Sequence, residues 1–229
     1  MQAATYAVVD VETTGLDPER DRVLEVAVVR ITPWGVTTAE YTTLIRPDGP
    51  APAPDPDPDP GPDADPDAAA VAAAIHGISA ADLREAPTFR QVAAGLAARL
   101  AGAVVAGHNV AFDLAFLTSE FRRLGIEVPP LPAVCTHALA ALLFPELERH
   151  RLADCCDHAG IVLNGAHTAL GDARATARLL GAYLATARTR GTVTLAELGC
   201  TPLVRPPVVW TTGLPYRAAT LGRGLVAPA

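Results

Sequence analysis

Residues 47–67 of this 229-residue chain can enter neither a helix nor a sheet. Proline recurs at almost every second position there, with Asp or Ala between. Each proline fixes φ and removes a backbone donor, and neighbouring aspartates repel one another. The segment is expected to be an extended, solvated insertion, acting as a spacer or as an acidic partner tether. Regular structure is therefore confined to the residues on either side, and the two sides read differently. Before the insertion the pattern is that of strands. Tyr6–Asp10 is an apolar run ending in an acid, Val23–Ile31 is rich in β-branched residues, Pro33-Trp34-Gly35 is a turn, and Glu40–Ile45 is a third strand. These three predict an antiparallel meander. After the insertion, helices are expected at Ala68–Ile75, from the Thr88-Phe89-Arg90-Gln91 capping box to Leu100, and at Ala111–Leu124, Thr136–Leu143, Leu152–Ala159 and Ala169–Ala187. Val104–Gly107 is a short buried strand among them. Strands followed by helices alternating with further strands predict an α/β domain.

The insertion also explains the charge. The net charge is −7, from 25 acidic and 18 basic residues. Seven of the acids are Asp48, Asp55, Asp57, Asp59, Asp63, Asp65 and Asp67, so the remainder balances at 25 − 7 = 18 against 18. Every basic residue is Arg, whose planar fork suits phosphate. The charge neither requires nor excludes a nucleic-acid partner. No apolar run reaches the ~18–20 residues of a membrane span. The start of the chain lacks the basic region of a signal peptide. Cys135, Cys155, Cys156 and Cys200 include no C-x-x-C pair, so reduced thiols and a cytoplasmic location are expected.

Three clusters of polar residues sit where apolar runs stop. In Val9-Asp10-Val11-Glu12-Thr13-Thr14-Gly15-Leu16, Asp10 and Glu12 are two apart on a strand and share one face. In Gly107-His108-Asn109-Val110-Ala111-Phe112-Asp113, the acid falls in the first turn of a helix. In His167-Thr168-Ala169-Leu170-Gly171-Asp172, the acid is again at a helix start, with His167 on the loop leading in. Taken singly, each has a plain structural explanation: a strand end meeting water, an acid favoured by a helix N-terminus, a surface histidine. Together, four acids and a histidine are what a pair of hard divalent cations requires. Mg²⁺ and Mn²⁺ take oxygen ligands, and two such ions about 3.5–4 Å apart can stabilise the attacking and leaving oxygens of an in-line displacement. An imidazole can take the proton from attacking water.

These motifs resemble those of the DEDDh branch of the DnaQ-like exonucleases, a family that includes the proofreading epsilon subunit of bacterial replicative polymerase. The matching residues are V-V-D-V-E-T-T-G-L-D, A-G-H-N-V-A-F-D-L-A-F-L and A-H-T-A-L-G-D-A-R-A-T-A, in the family's order, with I-H-G-I-S-A-A-D-L at Ile75–Leu83 between the first two. The resemblance spans roughly residues 5–187. It implies a ribonuclease H-like fold, with a mixed five-stranded sheet flanked by helices. It implies that Asp10, Glu12, Asp113 and Asp172 hold two Mg²⁺ or Mn²⁺ ions, with Glu12 bridging, and that His167 is the general base. Thr14, Gly15 and Leu16 would meet the terminal nucleotide through backbone and an apolar wedge. His76 would contact substrate, and Asn109 and Phe112 would shape the pocket. The implied reaction releases nucleoside 5′-monophosphates from the 3′ end of single-stranded DNA, with a DNA polymerase as a candidate partner. Trimming of RNA, or a non-catalytic nucleic-acid-binding module, are the alternatives. Two departures stand out. The Pro/Asp insertion precedes the His76 segment, and Val71 stands where members such as the epsilon subunit carry a Glu. The exonuclease domain is expected over 1–190, leaving a Pro-rich tail at 191–229 outside the match.

Overall fold

The computed structural model describes residues 5–48 and 68–189, with the side chains of 68–71 left aside. Residues 49–67 of the insertion and the C-terminal tail, including Cys200, lie outside the described residues. Three strands come first: β1 (Thr5–Thr13), β2 (Val23–Ile31) and β3 (Thr37–Leu44). They are followed by α1 (Ala68–His76), α2 (Phe89–Leu100), β4 (Ala103–Gly107), α3 (Val110–Arg123), β5 (Ala133–Cys135), α4 (Thr136–Leu143), α5 (Leu152–His158) and α6 (Ala169–Thr189). The sheet order is β3-β2-β1-β4-β5. β1 pairs antiparallel with β2, and β2 with β3, while β4 joins β1 and β5 joins β4 in parallel. This is the expected mixed five-stranded sheet.

Both faces of β1 are covered, and the two-residue period of a strand decides what each face sees. Ala7, Val9 and Val11 belong to a core with Phe89 and Leu96 of α2 and Phe116 and Phe121 of α3. Tyr6 and Val8 belong to the opposite core, built with Leu179, Leu180 and Tyr183 of α6. Each fully buried large side chain of this kind contributes roughly 1.5–3 kcal/mol relative to exposure. The face that carries Tyr6 and Val8 continues, two residues at a time, to Asp10 and Glu12. The apolar core under α6 thus gives way to carboxylates at the end where α6 begins.

The structure departs from the sequence reading at β1, β3 and β5, with β3 beginning at Thr37 rather than Glu40 because β2 pairs with it as far as Ile31 opposite Thr37. β1 runs three residues past Asp10, because β2 continues to pair with it through Asp10 opposite Ala27 and Glu12 opposite Glu25. Only the parallel partner stops early, since the β1–β4 register covers Thr5 to Val8. β5 was not foreseen. Its three residues are too short to show alternation, and it is defined by pairing with Val105, Ala106 and Gly107. The capping interaction at α2 is present, with the Thr88 N–H donating to Gln91 Oε1 at 2.8 Å. No helix among the described residues is long and apolar enough to cross a membrane.

Candidate active site

Carboxylate oxygens of Asp10, Glu12 and Asp172 lie within 4.8 Å of one another. Asp10 and Glu12 come from one face of β1, and Asp172 from the first turn of α6. Asp113 approaches from the other side. It is buried in the first turn of α3, and its Oδ1 accepts the N–H of Val11 at 3.1 Å. Val11 lies between the two acids and beyond the end of the β4 ladder, so Asp113 takes a donor that no parallel strand reaches. Its carboxylate is outside the close trio yet near enough for its charge to act on Asp10.

Like charges crowded in a partly dry site resist ionisation. Burial, followed by the charges of Asp113, Asp172, Glu12 and Glu25, holds the Asp10 carboxyl well above the ordinary aspartate range. Burial, with Asp172 and Glu25, raises Glu12 to about 7. Burial raises Asp113 to about 7 as well, against the opposing hydrogen bonds from its own N–H and that of Val11. Asp172 is also raised by burial, and the hydrogen bond from His167 works the other way. An all-oxygen donor set that cannot comfortably carry its own charge fits hard divalent cations.

His167 reaches this cluster through its backbone. It is exposed, adopts a left-handed φ of 63°, and donates its N–H to Asp172 Oδ2 at 3.2 Å. The loop is folded tightly on the start of α6. The Thr168 hydroxyl donates to the Gly165 carbonyl at 2.7 Å and accepts the Gly171 N–H at 3.1 Å. A side chain at position 171 would meet that carbonyl, since a Cβ there would lie 1.9 Å from the Gly165 oxygen. Only glycine lets the loop and helix approach so closely.

The loop after β1 is equally well determined. The Thr14 hydroxyl donates to Asp21 Oδ1 at 2.9 Å and accepts the Arg22 N–H at 3.0 Å, while the Thr14 N–H donates to the Arg22 carbonyl. Thr14 therefore shapes the loop with its hydroxyl and its backbone N–H. A Cβ on Gly15 would lie 2.5 Å from Asp21 Oδ2. Leu16 stands out from the loop, 77% exposed. The loop is clamped to α3 by the buried Glu120, which accepts Arg22 Nε at 2.7 Å and Arg22 Nη2 at 3.0 Å. Arg123 Nη2 adds hydrogen bonds to the carbonyls of Pro18, Glu19 and Asp21.

His76 ends α1. Its Nδ1 accepts the Ile78 N–H at 3.0 Å, which leaves the ring proton on Nε2. Nε2 is buried near the Thr13 carbonyl without a well-formed hydrogen bond, and burial lowers the ring's pKa. Asn109, with φ 75°, stands at the N-cap position of α3 without a side-chain capping bond, and the ring of Phe112 packs 4.8 Å from that of Phe116. Both flank Asp113 on the same helix start. Two contributors escaped the sequence reading. Glu25 interrupts the apolar run of β2 opposite Glu12, and Glu120 is a buried acid in a helix whose pattern otherwise marks an apolar face.

An exonuclease family, RNase_T, matches residues 7–55 and 60–180. The chain is 31% identical over 176 residues to a PolC-type DNA polymerase III of Oceanobacillus iheyensis, covering 77% of this chain and 11% of that protein. It is 28% identical over 180 residues to the 3′-5′ exonuclease DinG of Staphylococcus saprophyticus, covering 79% of this chain and 18% of that one. It thus spans under a fifth of these relatives. Against the DNA polymerase III epsilon subunit of Aquifex aeolicus the identity is 29%, over 76% of this chain and 78% of that one. Among solved structures, the fold is similar to the nuclease domain of 3′hExo, a DEDDh family member bound to rAMP, with TM-score 0.65, 16% identity, and 89% and 98% coverage. It is also similar to an E. coli ExoI–ssDNA complex, with TM-score 0.65, 22% identity, and 82% and 42% coverage.

Proposed function

The chain belongs to the RNase_T exonuclease family, and from that premise we propose that it is a divalent-metal-dependent 3′→5′ exonuclease acting on single-stranded DNA. The observation that carries this reading is the Asp10–Glu12–Asp172 cluster, with Asp113 beside it and the His167 loop tied to Asp172. Asp10, Glu12, Asp113 and Asp172 would hold two Mg²⁺ or Mn²⁺ ions, which when bound help activate the attacking water and neutralise the leaving 3′ oxygen. His167 then takes a proton from the attacking water at an imidazole nitrogen. Its exposed position at the edge of the cluster suits a group that must return that proton to solvent. The new oxygen–phosphorus bond replaces the bond to the 3′ oxygen, which leaves on the shortened strand, and a nucleoside 5′-monophosphate departs.

The clamped loop after β1 presents Gly15 and the exposed Leu16 to the terminal nucleotide, the leucine as an apolar wedge against its base. His76, Asn109 and Phe112 complete the pocket wall. We assign the nuclease unit to residues 1–190 and leave 191–229 as a separate tail. A DNA polymerase is the partner we favour, in line with the epsilon relative that the chain matches over most of both lengths. The free thiols Cys135, Cys155 and Cys156 accord with a cytoplasmic location. The test is digestion of 5′-labelled single-stranded DNA and RNA of one sequence, with Mg²⁺ or Mn²⁺ and with chelator. A ladder shortening from the 3′ end, faster on DNA and abolished by chelator, is expected. Faster digestion of RNA would move the substrate to the ribose series, and no digestion of either would overturn the reading.

A further inference from the structure

We propose that Glu25 is a positioning residue that sets where α6, and with it Asp172 and His167, stands against β1. The proposal rests on the metal-nuclease reading of the site. Glu25 is the one acid in β2, a strand that is otherwise apolar apart from Arg30. The β1–β2 register sets it directly opposite Glu12. Like charges facing each other across a ladder are destabilising, and here the Glu25 charge also pushes the Glu12 and Asp10 carboxyls upward. A residue with that electrostatic cost needs a compensating role.

Both of its oxygens are committed to donors. Oε1 accepts the Thr42 hydroxyl of β3 at 3.0 Å, and Oε2 accepts the N–H of Ala169, the first residue of α6, at 3.0 Å. A helix start leaves its first N–H groups without intrahelical partners and is favoured by negative charge. Glu25 supplies both an acceptor and a charge from a neighbouring strand. Three residues further on is Asp172, and two residues back is His167, whose N–H donates to Asp172. Glu25 lies outside the close trio of carboxylates and its oxygens are already used. It therefore acts through α6 rather than as a ligand: it fixes the helix start from which one ligand and the proposed base project. Thr42 holds the carboxylate from the other side, so the tether runs from β3 through β2 to α6.

The test compares full-length wild type with Glu25→Ala and Glu25→Gln. Glutamine can keep both hydrogen bonds, its carbonyl accepting the Ala169 N–H and its NH₂ donating to the Thr42 oxygen, while the charge is lost. In metal-free protein, amide exchange at Ala169–Asp172 should speed up about 10–100-fold in Glu25→Ala, the loss of a hydrogen bond to a charged group. Mn²⁺ affinity by titration calorimetry, and kcat on a DNA oligonucleotide, should each fall about 10–100-fold, as when a group orienting a ligand is removed. KM should stay near wild type, and Glu25→Gln, which keeps the tether without the charge, should recover most of the exchange protection, affinity and kcat. Wild-type exchange and Mn²⁺ affinity in Glu25→Ala would overturn the proposal. So would a Glu25→Gln protein as impaired as Glu25→Ala, because charge rather than the tether would then be its role. If wild type itself binds no Mn²⁺, the metal reading falls, and Ala169 exchange still decides whether Glu25 holds α6.

Discussion

Replacing Asp113 by Asn should shift the stability of the metal-free protein in favour of the variant as pH rises from 4 to 8, while destroying its proposed activity. Asparagine keeps an oxygen where Oδ1 accepts the Val11 N–H, so the link to β1 survives. What it removes is a charge in a buried position. The folded-state pKa of Asp113 is about 7, against an ordinary value of 3.8. For a group raised on folding, stability is fully present below the unfolded value and is lost as pH rises toward the folded one. The wild-type protein therefore weakens between about pH 4 and pH 7. A gap of about three pH units at about 1.4 kcal/mol each is a ceiling of about 4 kcal/mol. The buried NH₂ of Asn costs about 1–3 kcal/mol, but equally at every pH. The difference in stability between variant and wild type should thus grow by about 2–4 kcal/mol from pH 4 to pH 8, in favour of the variant. Urea unfolding with chelator at the two pH values measures it. In thermal scans, each kcal/mol corresponds to about 2–4 °C for a chain of this size. A stability difference unchanged between pH 4 and pH 8 would refute the claim that Asp113 is charged against its will.

The same carboxyls govern metal binding. Because Glu12 and Asp113 must lose protons near pH 7 to act as ligands, Mn²⁺ affinity should rise from pH 6 to pH 8 with net proton release, measured by calorimetry in buffers of different ionisation enthalpy. A pH-independent affinity would exclude them from the site. His167→Ala should lower turnover about 10²–10⁴-fold with little change in Mn²⁺ affinity. Loss of metal binding would make it a ligand instead. Gly171→Ala would drive a methyl into the Gly165 carbonyl and should cost about 1–3 kcal/mol of stability while displacing the His167 loop, so kcat falls with it. Wild-type kcat in this variant would show that the loop's seat on α6 does not matter.

Much of this was legible in the sequence for one physical reason. Strand periodicity fixes the face of every residue, so Asp10 and Glu12 had to share a side, and their order relative to the apolar run placed them at its polar end. Helix starts are similarly marked, which located Asp113 and Asp172. What was not legible depends on partners distant in sequence. Glu25 looks like an ordinary interruption of an apolar strand until Ala169 and Glu12 are seen on either side of it. Glu120 shows its role only when Arg22, 98 residues away, is brought to it. β5 is too short to carry a pattern, and the internal engagement of Thr14 depends on Asp21 and Arg22 folding back. Local pattern brought the acids to one end of the sheet; long-range contacts determine how firmly they are held.

The central claim is that this carboxylate cluster directs water onto the 3′-terminal phosphodiester. Digestion of single-stranded DNA in ¹⁸O-labelled water with Mn²⁺, followed by mass spectrometry of the released products, tests it most directly, with Asp172→Ala and a chelator-treated sample alongside. The account predicts nucleoside 5′-monophosphates carrying one ¹⁸O in the phosphate, and no release from the variant or with chelator. Nucleoside 3′-phosphates, internal fragments in place of mononucleotides, or release that survives Asp172→Ala would contradict it.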